Sequence, residues 1–272
     1  MSNSVTGVPG GTPEASEPSS PRERLLRAAG ELLAGSRGKP VSTREITKLA
    51  GVTAPTLYHH FGDKDGLMEA VALRGFEEFV RRERGMQRSA APIADVQRLW
   101  DVHVQFGLSQ PQLYSLMFGS GGPGRRPVLV EEAERLLEAE LHRVAETGLL
   151  AVPPRQAARA VLAANIGVTL MLVADAPDEG EAVSAEEVAA LSLSTQTRDA
   201  VLRSVVTDPA AVGSAPDGAP SGGGPPSYVS AAIALNATLQ SSHPDQLSGT
   251  ELTLFLEWLH RLSTTPEAGR QG

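Results

Sequence analysis

The chain has 272 residues, 24 Lys+Arg against 32 Asp+Glu for a net charge of −8, 41% hydrophobic residues and no cysteine. That length accommodates one large domain or two smaller ones, and the apolar fraction is that of a soluble globular protein. The lack of cysteine excludes disulfides, thiolate zinc sites and thiol redox sensing within this chain, and it agrees with a reducing cytosol.

The acidity is unevenly spread. Residues 21–88 carry 13 Lys+Arg and 9 Asp+Glu, a net +4, whereas residues 89–272 carry 11 and 21, a net −10. A basic front and an acidic rear point to phosphate contact by the front alone. Residues 1–20 are rich in Ser, Pro and Gly and have neither a basic start nor an apolar stretch, so they read as a disordered tail rather than a signal peptide. The longest apolar run, Ala160 to Ala174, is interrupted by Asn165 and falls short of the ~20 residues of a spanning helix. The expectation is a cytoplasmic protein without a membrane partner.

In chain order, the first helix is predicted over 21–34, opened by Pro21, with Leu25, Ala29, Leu32 and Leu33 at helical spacing. Ser42 and Glu45 form a capping-box pattern. The helix they open runs to about Ala50 and is expected to bury Ile46, Leu49 and Ala50. Gly51 supplies a turn that needs positive φ. Thr53 is expected to cap a third helix through about His60, with Pro55 in its first turn. A longer helix follows from near Lys64, with Leu67, Val71 and Phe76 turned inward. From Pro92 onward helical periodicity predicts 92–108, 110–118, 127–147, 154–175, 184–206, 228–240 and 248–263, the last opened by a second capping box, Ser248 and Glu251. Gly119–Gly124 reads as a loop. Thr207–Ser227, with five Pro and five Gly, reads as a flexible excursion. The fold class is all-α: a helix-turn-helix domain over 21–75, then a larger helical domain over 90–264.

Two short helices joined at Gly51-Val52 are a helix-turn-helix pattern, whose second helix enters the major groove while the first crosses the backbone. Thr43, Thr53, Thr56 and Tyr58 offer hydroxyls, and His59 and Lys64 offer N–H donors. Ala54 and Pro55 are short enough for close approach to the bases. No Arg, Asn or Gln stands in this helix to make bidentate base contacts. Readout is therefore expected to rest on Pro55 and Thr56 against thymine methyls, on Arg44 from the preceding helix, and on DNA shape.

The run Ile46-Thr47-Lys48-Leu49-Ala50-Gly51-Val52-Thr53-Ala54-Pro55-Thr56-Leu57-Tyr58-His59-His60-Phe61-Gly62-Asp63-Lys64 resembles the DNA-binding domain of the TetR family of repressors, with its glycine turn, its short helix ending in Tyr-x-His-Phe and its following Lys. The resemblance extends over about Arg22 to Ala72. Gln110 to Gly119 also looks like a segment of some TetR-type ligand domains. The resemblance implies that Thr43, Tyr58 and Lys64 hold phosphates. It places Thr53, Ala54, Pro55, Thr56 and His59 nearest the groove, and it has His60 packing or capping. It further implies a homodimer on a double-stranded, near-palindromic operator, a repressor released by a small apolar effector, and no cofactor.

Other features read more plainly. His59 and His60 point about 100° apart on a helix and do not converge on a metal. Gly119–Gly124 lacks the Gly-Lys-Ser/Thr ending and the preceding strand of a phosphate loop. Glu131-Glu132 and Glu186-Glu187 stand at helix starts, where the dipole favours them. The second domain has no nucleophile–base set, so an enzyme fused to a DNA-binding head is disfavoured. Trp100, His103, Phe106, Tyr114, Met117 and Phe118, with Asn165, are the candidate effector-pocket residues, and the cluster is equally readable as core. Helix 154–175, apolar around most of its circumference, and 184–206 are the candidate dimer helices. An alternative keeps the DNA-binding head and gives the C-terminal half a protein partner, with the 207–227 excursion and the helices beyond it as the reason. A cavity near Trp100–Phe118 separates the two readings in favour of a small ligand.

Overall fold

The computed structural model describes residues 20–36, 38–119, 128–175, 185–208, 212 and 228–264. The expected tail up to residue 19, most of the 119–124 loop and most of the 207–227 excursion lie outside the described residues, as do the side chains of Glu186 and Glu187.

Eleven helices are present among the described residues: α1 (Pro21–Ala34), α2 (Thr43–Ala50), α3 (Ala54–Phe61), α4 (Lys64–Arg84), α5 (Pro92–Ser109), α6 (Pro111–Phe118), α7 (Val128–Glu146), α8 (Pro154–Asp175), α9 (Ala185–Val205), α10 (Tyr228–Ser241) and α11 (Gly249–Ser263). They contain no strand, only an isolated antiparallel bridge between Leu150 and Val206. Local signals explain the boundaries. Pro21, Pro92, Pro111 and Pro154 open their helices where a missing N–H costs nothing. Ser42 and Ser248 each accept from the backbone N–H of the Glu three residues on, and that Glu returns a bond to the cap backbone.

Two compact units divide at Val71–Ala72, so α4 contributes its first turns to one and the remainder to the other. In the first unit α1 packs on α2 and α3, and Leu25, Ala29, Ile46 and Leu57 are fully or almost fully buried. The second unit is organised around α8, which packs against α5, α6, α7 and α9, while α10 lies on α7 and α11 on α10. One core cluster joins Trp100, Leu141, Val144, Val161 and Leu202; another joins Phe76, Phe79, Phe106, Tyr114, Met117 and Leu162. At Gly107 a Cβ would lie 2.3 Å from Thr169 Cγ2, so glycine is what lets α5 and α8 approach this closely.

Two sequence expectations are corrected. Leu49 is 48% exposed and Thr47 is buried in its place. Ile46, Thr47 and Ala50 span one 100° arc of the eight-residue helix, and Leu49 falls 60° outside it; the Thr47 hydroxyl is satisfied by donating to Thr43 O at 2.9 Å. In addition, α8 has the length and composition to cross a membrane, contrary to the argument from its longest apolar run. Its packing on four helices and its buried Asn165 and Thr169 mark it as a core helix.

Candidate DNA-binding face and effector cavity

The turn between α2 and α3 is made by Gly51, which caps α2 in the left-handed conformation at φ 63° and ψ 40°. Val52 N–H donates to Thr47 O at 3.1 Å and Gly51 N–H to Lys48 O at 3.3 Å, which satisfies the end of the helix. Arg24 Nε, from α1, adds a bond to Ala50 O at 3.0 Å, and the Arg22 guanidinium lies 5.4 Å from the centroid of the Phe61 ring. Two of the basic residues at the front of the chain therefore hold the helix-turn-helix together.

The first turn of α3 is open to solvent. Thr53, Ala54, Pro55 and His59 are exposed, Thr56 is half-buried and Tyr58 is 50% exposed, while Leu57 alone on this helix is buried. Thr53 makes no capping bond to the backbone, contrary to expectation. Its Oγ1 instead shares a 2.9 Å hydrogen bond with Thr56 Oγ1, fixing both hydroxyls at the start of the helix. Arg44 is exposed, and Thr43 and Lys64 are half-buried at the first positions of α2 and α4. His60, expected to pack or cap, is exposed, with its ring edge-on to those of His59 and Phe61. The unit thus presents short side chains, hydroxyls and N–H donors on one solvent-open helix start.

The second unit encloses a cavity of about 470 Å³ between α4, α5, α7 and α8. Its apolar wall includes Phe79, Leu99, Trp100, Leu137, Val161 and Leu162. Of the seven candidate pocket residues, Trp100, His103 and Asn165 line it; Phe106, Tyr114, Met117 and Phe118 do not. Those four pack in the core beside Phe79 and Leu162, where Tyr114 and Phe118 of α6 lie against His103, and Tyr114 against Phe106, of α5. A buried polar line backs the cavity. Trp100 Nε1 donates to Ser194 Oγ at 3.0 Å, Asn165 Nδ2 to Trp100 O at 3.3 Å, and Thr169 Oγ1 to Asn165 O at 2.8 Å. His103 Nε2 and the Tyr114 hydroxyl share a hydrogen bond at 2.8 Å. Burial holds His103 neutral, pushing its pKa down to about 3, and it raises that of Tyr114.

The other end of the cavity is charged, and the sequence reading missed it. Asp95 accepts from the Ser89 backbone and hydroxyl, from Arg143 at 2.9 Å and from Arg98. Burial works against its charge, but the Ser89, Arg143 and Arg98 partners outweigh it and hold the carboxyl below its ordinary value. Glu140 is paired with Arg88 and, at 3.0 Å, with Arg143. Glu83 also lines the cavity, and its pKa rises to about 7 through burial and the neighbouring Glu140 charge. Nothing in the local sequence marks Glu83 among the charged residues of α4; only the fold brings it beside α7.

Comparison with known proteins follows the same division. The pattern of the family described as bacterial regulatory proteins, tetR family, matches residues 25–71. The transcriptional repressor KstR2 of Mycolicibacterium smegmatis is 34% identical over 80 residues, 29% of this chain and 38% of that protein. The regulator UidR of Escherichia coli K12 is 32% identical over 75 residues, 28% and 35% of the two chains. The chain therefore aligns with little more than a third of these relatives. Solved structures extend the likeness to the fold: a TetR-family regulator from Pectobacterium atrosepticum superposes with a TM-score of 0.55 at 19% identity, over 69% of this chain and 95% of that one. SmeT, the repressor of a Stenotrophomonas maltophilia multidrug efflux pump, gives 0.52 at 22% identity, over 73% and 97%.

Proposed function

We propose, on the premise that the N-terminal domain belongs to the TetR family, that this chain is a cytoplasmic transcriptional regulator that binds a near-palindromic operator as a homodimer and is released from it by a small, largely apolar effector. The observation that carries the DNA-binding part is the solvent-open start of α3, held on a helix-turn-helix whose first helix is capped at both ends and whose turn is closed by Gly51. Thr43, Tyr58 and Lys64 hold phosphates; Thr53, Ala54, Pro55, Thr56 and His59 face the groove; Arg44 assists from α2. Phosphate contacts position the head, and the sparse base-reading chemistry of α3 leaves DNA shape and half-site spacing a large share of specificity.

The effector part rests on the cavity. Its volume is within the ordinary range for small-molecule sites, and its wall joins an apolar side formed by Phe79, Leu99, Trp100, Leu137, Val161 and Leu162 to a charged end. Trp100, His103 and Asn165 contact the effector, while Phe106, Tyr114, Met117 and Phe118 support them from behind. An effector acts only if its affinity differs between the DNA-competent state and the released one. The sign of regulation is repression.

The dimer forms through α8 and α9. Ala163, Gly167, Met171 and Ala174 recur on one exposed face of α8, and nothing lies within 4 Å of where a Gly167 Cβ would stand. Glycine within a helix costs roughly 1 kcal/mol relative to alanine, and the close approach of a second chain accounts for it there. A second reading has its own observation: Leu254, Trp258 and Leu262 form an exposed apolar stripe along α11, a surface suited to a protein partner.

Selection of bound sequences from a random DNA pool by the full chain tests the proposal. Enrichment of an inverted repeat is expected, and recovery of no inverted repeat overturns it.

A further inference from the structure

The cavity has a polar end where three arginines and three carboxyls meet, and Glu83 is the carboxyl that none of the arginines pairs with. Around Glu83 the wall carries Arg84 on the same helix, Arg88 just beyond it, Asp95 and Arg98 on α5, and Glu140 on α7; α8 contributes only the neutral Asn165. Arg88 is engaged by Glu140, Arg98 by Asp95, and Arg143 of α7 by both of those carboxylates. Arg84 is exposed, and consecutive helical residues point about 100° apart. The Glu83 side chain makes no hydrogen bond or ion pair with any of the described residues, and the neighbouring Glu140 charge adds to burial in raising its pKa. His103, the remaining titratable group of the wall, is buried and neutral. The cavity thus keeps one half-buried carboxyl unpaired where its charged end meets its apolar wall.

A half-buried carboxyl with no ion-pair partner is stabilised by a cation that brings its own apolar body. We propose that the cavity selects amphipathic amines, with the ammonium against Glu83 and the hydrocarbon portion against Phe79, Trp100, Val161 and Leu162. This rests on the effector reading and deepens it, since it assigns the ligand's charge and names Glu83 as the residue that sets it. Desolvation makes the free carboxyl hard to ionise, so a bound ammonium draws it into the charged form and expels its proton. No covalent step is involved.

Titration calorimetry of the full chain with decylamine, decanol and decanoate tests the inference with three probes of equal chain length. At pH 8 decylamine is expected to bind at least about ten-fold more tightly than the other two. That preference should shrink toward parity at pH 5.5, where Glu83 is protonated and decylamine remains a cation. Glu83→Gln should abolish the preference while leaving decanol affinity unchanged, which also shows that the variant cavity is intact. Tightest binding of decanoate, or an amine preference that survives Glu83→Gln, overturns the inference. Binding of decanol with no amine preference overturns it while the effector reading stands. Binding of none of the three overturns both.

Discussion

Lys64 and Glu83 both lie on α4, and each fixes a different property of the protein. Lys64, at the first position of that helix, is the residue proposed to meet the DNA backbone without reading a base. Replacing it with alanine should weaken binding to every sequence alike and reduce the slope of log affinity against log salt by about 1; anisotropy titrations at several salt concentrations measure this. Glu83 is held protonated by burial up to about pH 7. A carboxyl with a raised folded pKa favours folding below its unfolded pKa, and that contribution is lost as pH rises through 7. The free Glu83→Gln protein should therefore be more stable than the parent at pH 8, by about 1–3 kcal/mol, and equal to it near pH 4. Urea melts at the two pH values show the difference. Asp95 has the opposite sign: its depressed pKa supports folding above the ordinary carboxylate range, and that support disappears as pH falls below it. The helix-turn-helix that carries the residues proposed to face DNA was legible in the sequence because its signal is local, a glycine turn and an aromatic at fixed offsets. Glu83 was not, because its meaning depends on Glu140, 57 positions away, across a helix packing that no short-range pattern encodes.

Helices were the most legible level. Prolines at first positions and two capping boxes set boundaries that agree with the sequence expectation to within a residue or two at most ends. Errors arose where a helix is too short for periodicity to fix its buried arc. On α2 the choice between Leu49 and Thr47 depends on the angle at which α1 crosses it. On α6 the aromatic cluster was correctly seen as a cluster, but which side faced a void was set by tertiary packing. The exposed small-residue face of α8 yields a prediction at this scale. Gly167→Arg places a long cation where nothing in the chain obstructs it, so the fold should survive and the dimer should dissociate. Light scattering should then give half the parent mass, with an unchanged helical circular dichroism spectrum. Trp258→Lys on α11 should leave the dimer intact. If that variant dissociates instead, α10 and α11 form the interface.

At the scale of the whole chain, the division of charge matches the division of units. The positive excess lies in residues 21–88 and the acidic excess beyond them, so under the proposed function attraction to DNA falls to the head and a net charge of −8 is compatible with it. The proposed contacts are richer in phosphate than in base partners, so a single copy is expected to discriminate poorly among sequences. Two copies on one two-fold axis convert that weakness into a spacing rule. Hydroxyl-radical footprinting of the full chain on a selected DNA site is the most direct measurement of this account. It should show two protected windows related by the two-fold of the site and centred about 34–36 Å apart or a multiple of that, both lost together in a Pro55→Glu, Thr56→Glu variant of the α3 surface. A single window, or protection that persists in that variant, would contradict it.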